Sequence, residues 1–385
     1  MLLKTGLVST IHQALQIDSW FHIFPIKWDE ANGKFIIKNE WQSKCWRGIA
    51  FIYFCVTGTL MLPSCLVNNS SEDVSQRSQT LVTAISLLFA GTICWIFHTE
   101  HLSVIGVLNS LLKLEEEMER DSKTIPEDIR TKLIKWIAKI LVMSAKCYAI
   151  LLSICTGFDP KFPLNALAIY SQHLEYWDCE GWSLWYRIFT MFGNMIIWHL
   201  LSLTGLVAIL EILVSMEGIR VFQLCLPNLS KTSRSIKVWL KVKHIYDRLR
   251  ILSQIFNCVH ANSIVVHLLI CVSVGQITSV FCLIRCVGLQ IPIFTTLVFI
   301  GFDTGVAVIA VYGCAGEVNG TSKLITAKLK RKGVKVKSIM VQKMISSLPE
   351  LRIGFGNVNF VERTTPLEFL QFNNLRIVDL LLFSR

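Results

Sequence analysis

The chain has 385 residues, of which 52% are hydrophobic, and a formal net charge of +11 at pH 7. This apolar share is higher than that of ordinary soluble domains, which argues against a chain built around soluble cores alone. The basic residues lie in alternate connecting segments, a distribution typical of membrane insertion and not of a nucleic-acid-binding surface. The composition therefore indicates an integral membrane protein made of helices.

The apolar residues fall in blocks of about the length that crosses ~30 Å of hydrocarbon. Six blocks are strongly apolar, and a seventh, more polar block closes the chain. In chain order the predicted spans cover residues 46–66, 79–98, 137–158, 188–215, 260–284, 290–314 and 365–384. We expect an all-α membrane protein, with an N-terminal arm of residues 1–45 and one seven-span domain of residues 46–385.

Lysine and arginine predict the orientation of these spans. They are concentrated in the N-terminal arm and in the connections after the second, fourth and sixth spans. Because such residues accumulate on the cytosolic side, we expect a cytosolic N-terminus and an extracellular C-terminus. The sequons at Asn68 and Asn69 then lie outside and are predicted glycosylation sites, whereas those at Asn228 and Asn319 lie inside and should stay bare.

Three connecting segments allow a structural prediction. Apolar residues at helical spacing from Ile236 to Phe256 predict that span five continues as an amphipathic helix into the cytosol, where such helices pack within or between subunits. The acidic run from Glu115 to Glu119 either meets these basic helices or is solvated, and we favour the solvated interpretation. The aromatic outer segment 159–186 is either an anchor at the membrane interface or a lid over an outward-facing pocket.

Asp303 is the clearest charged residue inside an apolar block. A carboxylate near the bilayer centre costs ~2.5–3.5 kcal/mol on insertion scales, so it should face other helices or water. Two interpretations are open: a functional site, or a buried acid bonded to a neighbouring hydroxyl such as that of Thr304.

The last predicted span is long enough to cross a bilayer but contains Glu368, Arg376 and Asp379. If all three faced lipid the cost would be roughly 8–10 kcal/mol, so lipid exposure is excluded for a spanning helix. Its polar residues lie within about 140° of one another on a helical wheel, and several copies of such a face around an axis can enclose an aqueous pore. From this polar face the predicted pore-lining residues are Glu368, Gln371 and Asp379. The alternatives are a helix inside its own bundle or one lying on the inner membrane surface.

This layout resembles the arthropod gustatory and odorant receptor superfamily. Gustatory receptors carry Thr-Tyr, five hydrophobic residues and Gln-Phe in their last span. The segment from Thr364 to Phe372 has the Thr, the spacing and the Gln-Phe, but it has Thr365 in place of Tyr, and Pro366 and Glu368 at hydrophobic positions.

The resemblance implies a tetrameric, ligand-gated, non-selective cation channel in the plasma membrane, whose last helix lines the pore. It adds Phe372 and Leu375 to the predicted pore-lining residues, and by the motif Gln371 and Phe372 are the best candidates. It also implies a pocket for a small-molecule tastant or odorant in the outer half of the bundle. Chosen by depth in the spans, the candidate ligand-binding residues are Tyr148, Phe192, Trp198, Gln276, Phe294 and Phe299. For each of these residues plain packing is the alternative.

Other classes of protein fit the sequence less well. A G-protein-coupled receptor requires the opposite orientation, and a secondary transporter should show inverted repeats or matching broken spans. No nucleophile–base pair or metal-ligand cluster is recognisable in the sequence, so we expect neither an enzyme nor a cofactor. The expected partners are a small-molecule ligand, the lipid bilayer and identical or related subunits.

Overall fold

The computed structural model describes most of the chain. The described residues are 6, 8–17, 24–38, 41–67, 74–121, 128–158, 184–229, 235–285, 291–334, 336, 338–356 and 359–383. The sequons at Asn68 and Asn69 and nearly all of the aromatic outer segment 159–186 lie outside these residues.

The N-terminal arm is folded onto the helical bundle. It contains helix α1 (Val8–Ile17) and an antiparallel hairpin of β1 (Ile26–Asp29) and β2 (Lys34–Ile37), in which Trp28 pairs with Phe35. The Asn109 amide accepts from the Phe35 backbone N–H and donates to its carbonyl oxygen, both at 2.8 Å. Because Phe35 is also 1% exposed, the hairpin is held to the bundle by both packing and backbone hydrogen bonds.

Helices form nearly all the rest of the described structure, since its apolar runs are long and end at polar connections. In chain order they are α2 (Trp41–Val67), α3 (Val74–Thr99), α4 (His101–Asp121), α5 (Ile129–Phe158), α6 (Leu184–Leu229), α7 (Ile236–Phe256), α8 (Val265–Arg285), α9 (Ile291–Gly333), α10 (Ile339–Ser346) and α11 (Thr365–Phe383). A short hairpin of β3 (Gly354–Phe355) and β4 (Asn359–Phe360) precedes α11.

Two helices are much longer than the spans predicted within them. Helix α6 has 46 residues and α9 has 43. At 1.5 Å per residue each is more than 60 Å long, about twice the hydrocarbon thickness. Hydropathy marks only the part of a helix that lies in lipid, so it could not show that these helices continue beyond the membrane.

The apolar helices fit a multi-pass membrane protein. Within the described residues three helical segments are long and apolar enough to cross a bilayer, Met191–Leu229, Val265–Arg285 and Leu297–Gly333. A fourth candidate is the pair Ala84–Thr99 and His101–Arg120, which is bent by 76°. Helix α11 is long enough but has three charged side chains.

The predicted continuation of span five is present as α7, which joins α8 through a π-helical segment, Asn257–Ile264. The Asn257 amide donates to the Arg352 carbonyl and accepts from the Gly354 N–H, both at 2.9 Å. The Gly356 N–H donates to the Ala261 carbonyl, also at 2.9 Å. The wide π turn is therefore tied to the segment that leads to α11.

The preference for a solvated acidic run on α4 was wrong. The Arg248 guanidinium of α7 donates to the Glu117 carboxylate, and Glu115 is only 2% exposed. Helices α4 and α7 pack side by side, and this contact brings acidic and basic faces together. The hydrophobic residues of α7 lie inside the bundle, with Trp239, Leu249 and Phe256 all buried.

Candidate functional site

A cavity of about 230 Å³ lies between helices α3, α5, α6, α8 and α9. Most of its lining is apolar and includes Phe89, Leu141, Leu206 and Leu268. Drug-sized ligands generally occupy sites of ~300–1,000 Å³, so this cavity suits a smaller molecule. Its walls come from five helices distant in sequence, which means that only the folded bundle forms it.

Asp303 is the acidic residue among those that line the cavity. Its carboxylate accepts a hydrogen bond from the Ser144 hydroxyl of α5, and this contact bridges α5 and α9. The donor is Ser144 and not the example named from sequence, since the Thr304 hydroxyl donates to carbonyls of its own helix, at 2.7 Å to Ile300 and 3.0 Å to Gly301. Asp303 is thus a bonded acid that also lines a cavity, and a functional role for it stays a prediction.

Trp198 is the aromatic residue that α6 contributes to the cavity. It is 7% exposed, and its indole Nε1–H has no hydrogen-bond acceptor among the described residues. A buried indole normally finds a partner, so an unsatisfied donor beside a cavity favours a ligand or a water that accepts from it. The cavity therefore presents a donor on α6 and an acceptor on α9.

The six predicted ligand-binding residues do not share one location. Trp198 lines the cavity, whereas Phe192, Phe294 and Phe299 are 43–61% exposed on the outer surfaces of α6 and α9. Gln276 is half-buried and bonds to α11 instead. The side chain of Tyr148 lies outside the described residues.

Helix α11 packs on α8 and α9 through one narrow face. Pro366, Asn373 and Ile377 are the buried residues of that face, and they recur at intervals close to two helical turns and one turn. The predicted pore-lining residues Glu368, Gln371, Phe372 and Leu375 are exposed, and the Asp379 side chain is 46% exposed. At 100° per residue these five lie on the side of α11 opposite the buried face.

The exposed face of α11 has its own internal contacts. The Arg376 guanidinium donates to Asp379 Oδ2 at 3.0 Å and lies 5.0 Å from the centre of the Phe372 ring. Charge on this face is therefore partly paired, while the Glu368 and Gln371 side chains remain on its surface.

A single buried hydrogen bond links α11 to the helix that carries part of the cavity wall. Asn373 Nδ2 donates to Gln276 Oε1 at 2.7 Å, and Asn373 is 0% exposed. Gln276 follows Gly275, which lines the cavity. One predicted ligand-binding residue, Gln276, is thus bonded to α11, through Asn373, which is not among the predicted pore-lining residues.

We expect Gln276→Leu to destabilise the packed position of α11 by about 1–3 kcal/mol, because it leaves a buried amide donor unsatisfied. Gln276→Glu keeps an acceptor at the same place and should retain more of the wild-type stability. Thermal unfolding of the purified chain in detergent or nanodiscs measures the difference. Equal unfolding temperatures for the two variants would show that the bond contributes nothing.

A buried ion cluster joins α5 and α6 at the predicted cytosolic side. The Arg220 guanidinium donates to both oxygens of Glu217, at 2.6 and 2.8 Å, and to both oxygens of Asp128, at 2.9 and 3.0 Å. Glu217 is 0% exposed and Arg220 is 3% exposed. The Thr131 hydroxyl completes the cluster, at 2.6 Å from Glu217 Oε1 and 2.7 Å from Asp128 Oδ1.

The cluster shifts the pKa of Asp128, its most exposed group. Burial by itself would raise the pKa of Asp128, but hydrogen bonds from Arg220 and Thr131 outweigh it and lower that pKa to about 2. The guanidinium pKa of Arg220 is raised above its usual value, because the bonds to Glu217 and Asp128 outweigh its own desolvation. Asp128 and Arg220 are therefore both charged at neutral pH.

A second ion bridge connects the same region to the start of α11. Glu317 of α9 contacts Arg130 of α5 at 3.3 Å and Arg363 at 3.0 Å. The backbone at Gly316 also approaches this point closely, since a Cβ atom there would lie 2.5 Å from the Glu362 carbonyl oxygen. The chain entering α11 is thus held against α9 by backbone packing and by charge.

Comparison with protein-family models gives no match, and neither does comparison with curated protein sequences. Solved structures do match. The insect olfactory receptor OR5 from Machilis hrabei in complex with eugenol superposes with a TM-score of 0.71 at 11% identity, over 98% of this chain and 99% of that one. Another structure of OR5 from Machilis hrabei gives a TM-score of 0.69 at 10% identity, over 97% and 99% of the two chains.

At this identity the comparison establishes the fold. Over 98% of its length the chain has the helical fold of the insect olfactory receptor OR5. The resemblance read from the sequence is confirmed at this level, although the sequence motif that carried it covers only nine residues.

Proposed function

We propose that this protein is a chemosensory receptor of the insect olfactory and gustatory receptor superfamily, and that it acts as a ligand-gated cation channel. The observation that carries the proposal is the placement of the polar residues of α11 on its exposed side, opposite the face that packs on α8 and α9. In a monomer this face has no partner within the described residues. Around a symmetry axis, copies of it would border water.

In this proposal the cavity between α3, α5, α6, α8 and α9 binds the small molecule that opens the channel. Support comes from its apolar lining, from its few polar groups and from the fold shared with a receptor whose structure contains eugenol. The Gln276–Asn373 bond is a direct link from the cavity helices to α11. Binding that displaces α8 would therefore bias the position of α11.

The remaining expectations belong to the same proposal. The N-terminus is cytosolic and the C-terminus extracellular, the plasma membrane is the site of action, and the subunits form a tetramer. Asn68 and Asn69 are glycosylated and Asn228 is not. Asn319 is 4% exposed, so a bare Asn319 is expected from burial as well as from orientation.

The proposed ligand site is tested by filling the cavity. Gly205 lines it, and a Cβ atom added there meets nothing within 4 Å, so Gly205→Phe should occupy the space without a backbone clash. We expect ligand-evoked whole-cell current to fall at least about tenfold, since loss of the site removes the binding free energy of a small ligand.

Gly193→Phe is the matched control, because Gly193 is on the same helix, also has open space around it and does not line the cavity. Surface labelling of both variants checks that they reach the membrane. Wild-type responses in Gly205→Phe, across a ligand panel that activates the unmodified receptor, would place the binding site elsewhere.

A further inference from the structure

One exposed line of helix α5 combines lysines with large apolar side chains. The residues of this lysine line are Lys132, Trp136, Lys139, Met143 and Lys146, which follow one another at alternating intervals of four and three. At 100° per residue these positions lie within about 80° of one another, so they form a single line along the helix. All five side chains are exposed, with Trp136 at 68% and Met143 at 61%.

The three lysines of this line have no counter-charge within the described residues. Lys132, Lys139 and Lys146 form no ion pair and no hydrogen bond there through their ammonium groups. Helix α5 itself contains no acidic residue. Arg130, on another face of the same helix, is paired with Glu317 at 3.3 Å. The lysine line is therefore a row of positive charge that an external anion can neutralise.

The lysine line crosses the predicted cytosolic boundary of the bilayer. The predicted span begins at residue 137, so Lys132 precedes it and Lys139 lies just inside it. Lys146 lies about 13–14 Å beyond the start of the span, at 1.5 Å per residue. A lysine exposed to hydrocarbon is costly unless its ammonium group reaches the headgroups or meets an anion. This position therefore favours contact with the polar part of a lipid.

The direction of the helix points the lysines towards those headgroups. The Cα–Cβ bonds of a helix tilt towards its N-terminus, and the N-terminus of α5 is its predicted cytosolic end. Successive lysines are ~10.5 Å apart along the axis, so one headgroup can lie between the ammonium groups of two of them. Trp136 and Met143 occupy the intervening positions, where they can contact the glycerol region and the acyl chains.

We propose, given the orientation stated under the proposed function, that the lysine line of α5 binds an anionic phospholipid of the cytosolic leaflet. The ammonium groups of Lys139 and of Lys132 or Lys146 donate to the phosphate and headgroup oxygens. Phosphatidylcholine has a positive group that offsets its phosphate, whereas phosphatidylglycerol keeps a net negative charge. The site is therefore selective for the anionic lipid, since each basic residue near an anionic headgroup adds to the attraction.

The test measures the affinity of two lipids with the same acyl chains, palmitoyl-oleoyl phosphatidylglycerol and palmitoyl-oleoyl phosphatidylcholine. Each is titrated into the full-length chain in detergent micelles, and native mass spectrometry counts the lipid bound. We expect phosphatidylglycerol to bind at least about tenfold more tightly than phosphatidylcholine. Lys132→Gln, Lys139→Gln and Lys146→Gln together should weaken phosphatidylglycerol binding at least about tenfold and change phosphatidylcholine binding less than about threefold.

The matched control removes three lysines from another helix. Lys323, Lys328 and Lys330 of α9 are also exposed, and they lie beyond its predicted span. Their joint replacement by glutamine should leave phosphatidylglycerol affinity unchanged. Equal losses in the two triple variants would show that net charge, and not the lysine line, sets the affinity, and would overturn the proposal.

Two further outcomes also overturn the proposal. Equal affinity of the wild-type chain for the two lipids would do so without any variant having to fold. Displacement of phosphatidylglycerol by glycerol 3-phosphate would indicate a site for soluble phosphates and not for a lipid. Neither result bears on the channel proposal, because the cavity and the exposed face of α11 are tested by current recordings on other residues.

Discussion

Replacing Arg220 by methionine is expected to destabilise the folded chain by about 3–5 kcal/mol, because it leaves two acidic groups without their cationic partner. Glu217 is 0% exposed and receives two hydrogen bonds from Arg220, so it would become an uncompensated charge in the interior. Methionine fills much of the same volume, which makes the lost charge the main change.

Arg352→Met is the matched control. The Arg352–Glu350 pair is exposed, with 44% and 36% of its side chains accessible, and such pairs contribute about 0–1 kcal/mol. Thermal unfolding of the purified chain and the fraction that reaches the cell surface report the difference. If Arg220→Met and Arg352→Met unfold at the same temperature, the buried cluster does not stabilise the junction of α5 and α6.

The cluster also predicts a pH dependence. The pKa of Asp128 is lowered in the folded state to about 2, from its ordinary value of 3.8. The stabilisation from this carboxylate is therefore complete above about pH 4 and is lost as pH falls towards about 2. Asp128→Asn should remove that acid-dependent component, and the unfolding temperature of the variant should vary less over this interval.

Introducing a positive charge at Gln371 is expected to have the largest effect on conductance. Gln371 is exposed on the side of α11 opposite its packed face. In a tetramer, Gln371→Lys would place a ring of four positive charges in the proposed pore, and rings of basic side chains exclude cations. We expect ligand-evoked cation current to fall by at least about tenfold, as each 1.4 kcal/mol of added barrier gives a factor of ten.

Gln371→Glu is the matched variant, because it introduces a charge of the opposite sign at the same position. A carboxylate ring should preserve or increase cation current and shift permeability towards cations. If both substitutions reduce the current equally, Gln371 affects folding or gating and not the permeation path. Surface labelling of both variants separates a smaller conductance from fewer channels.

The sequence predicted α11 well because its signal is local. The length of the segment, its charges and their spacing are all readable within about twenty residues, and the polar set proves to be on one exposed side. The buried side could not be read in the same way, because Asn373 is polar and its partner Gln276 is 97 positions away in the chain. Tertiary contact decides that this asparagine, and not Gln371, is buried.

The cavity was harder to predict from the sequence for the same reason. Phe192 and Trp198 lie in one apolar block but project from different faces of α6, and of the two only Trp198 lines the cavity, whereas Phe192 is 61% exposed. Asp303 was recognisable as an unusual charge, whereas its partner Ser144 is 159 positions distant. The Glu217–Arg220 pair has a local signal, two opposite charges at i and i+3 in an apolar helix, that could have been used.

The most direct test of the central claim is cysteine accessibility along α11. Leu375→Cys and Ile377→Cys lie on opposite sides of the helix, at 57% and 5% exposed, and the wild-type chain, with its thirteen native cysteines, gives the baseline. A membrane-impermeant cationic thiol reagent is applied to the open channel while current is recorded. The account predicts progressive block in Leu375→Cys and no change from baseline in Ile377→Cys. Block confined to Ile377→Cys, or an unmodified current in both, would contradict a pore lined by this face.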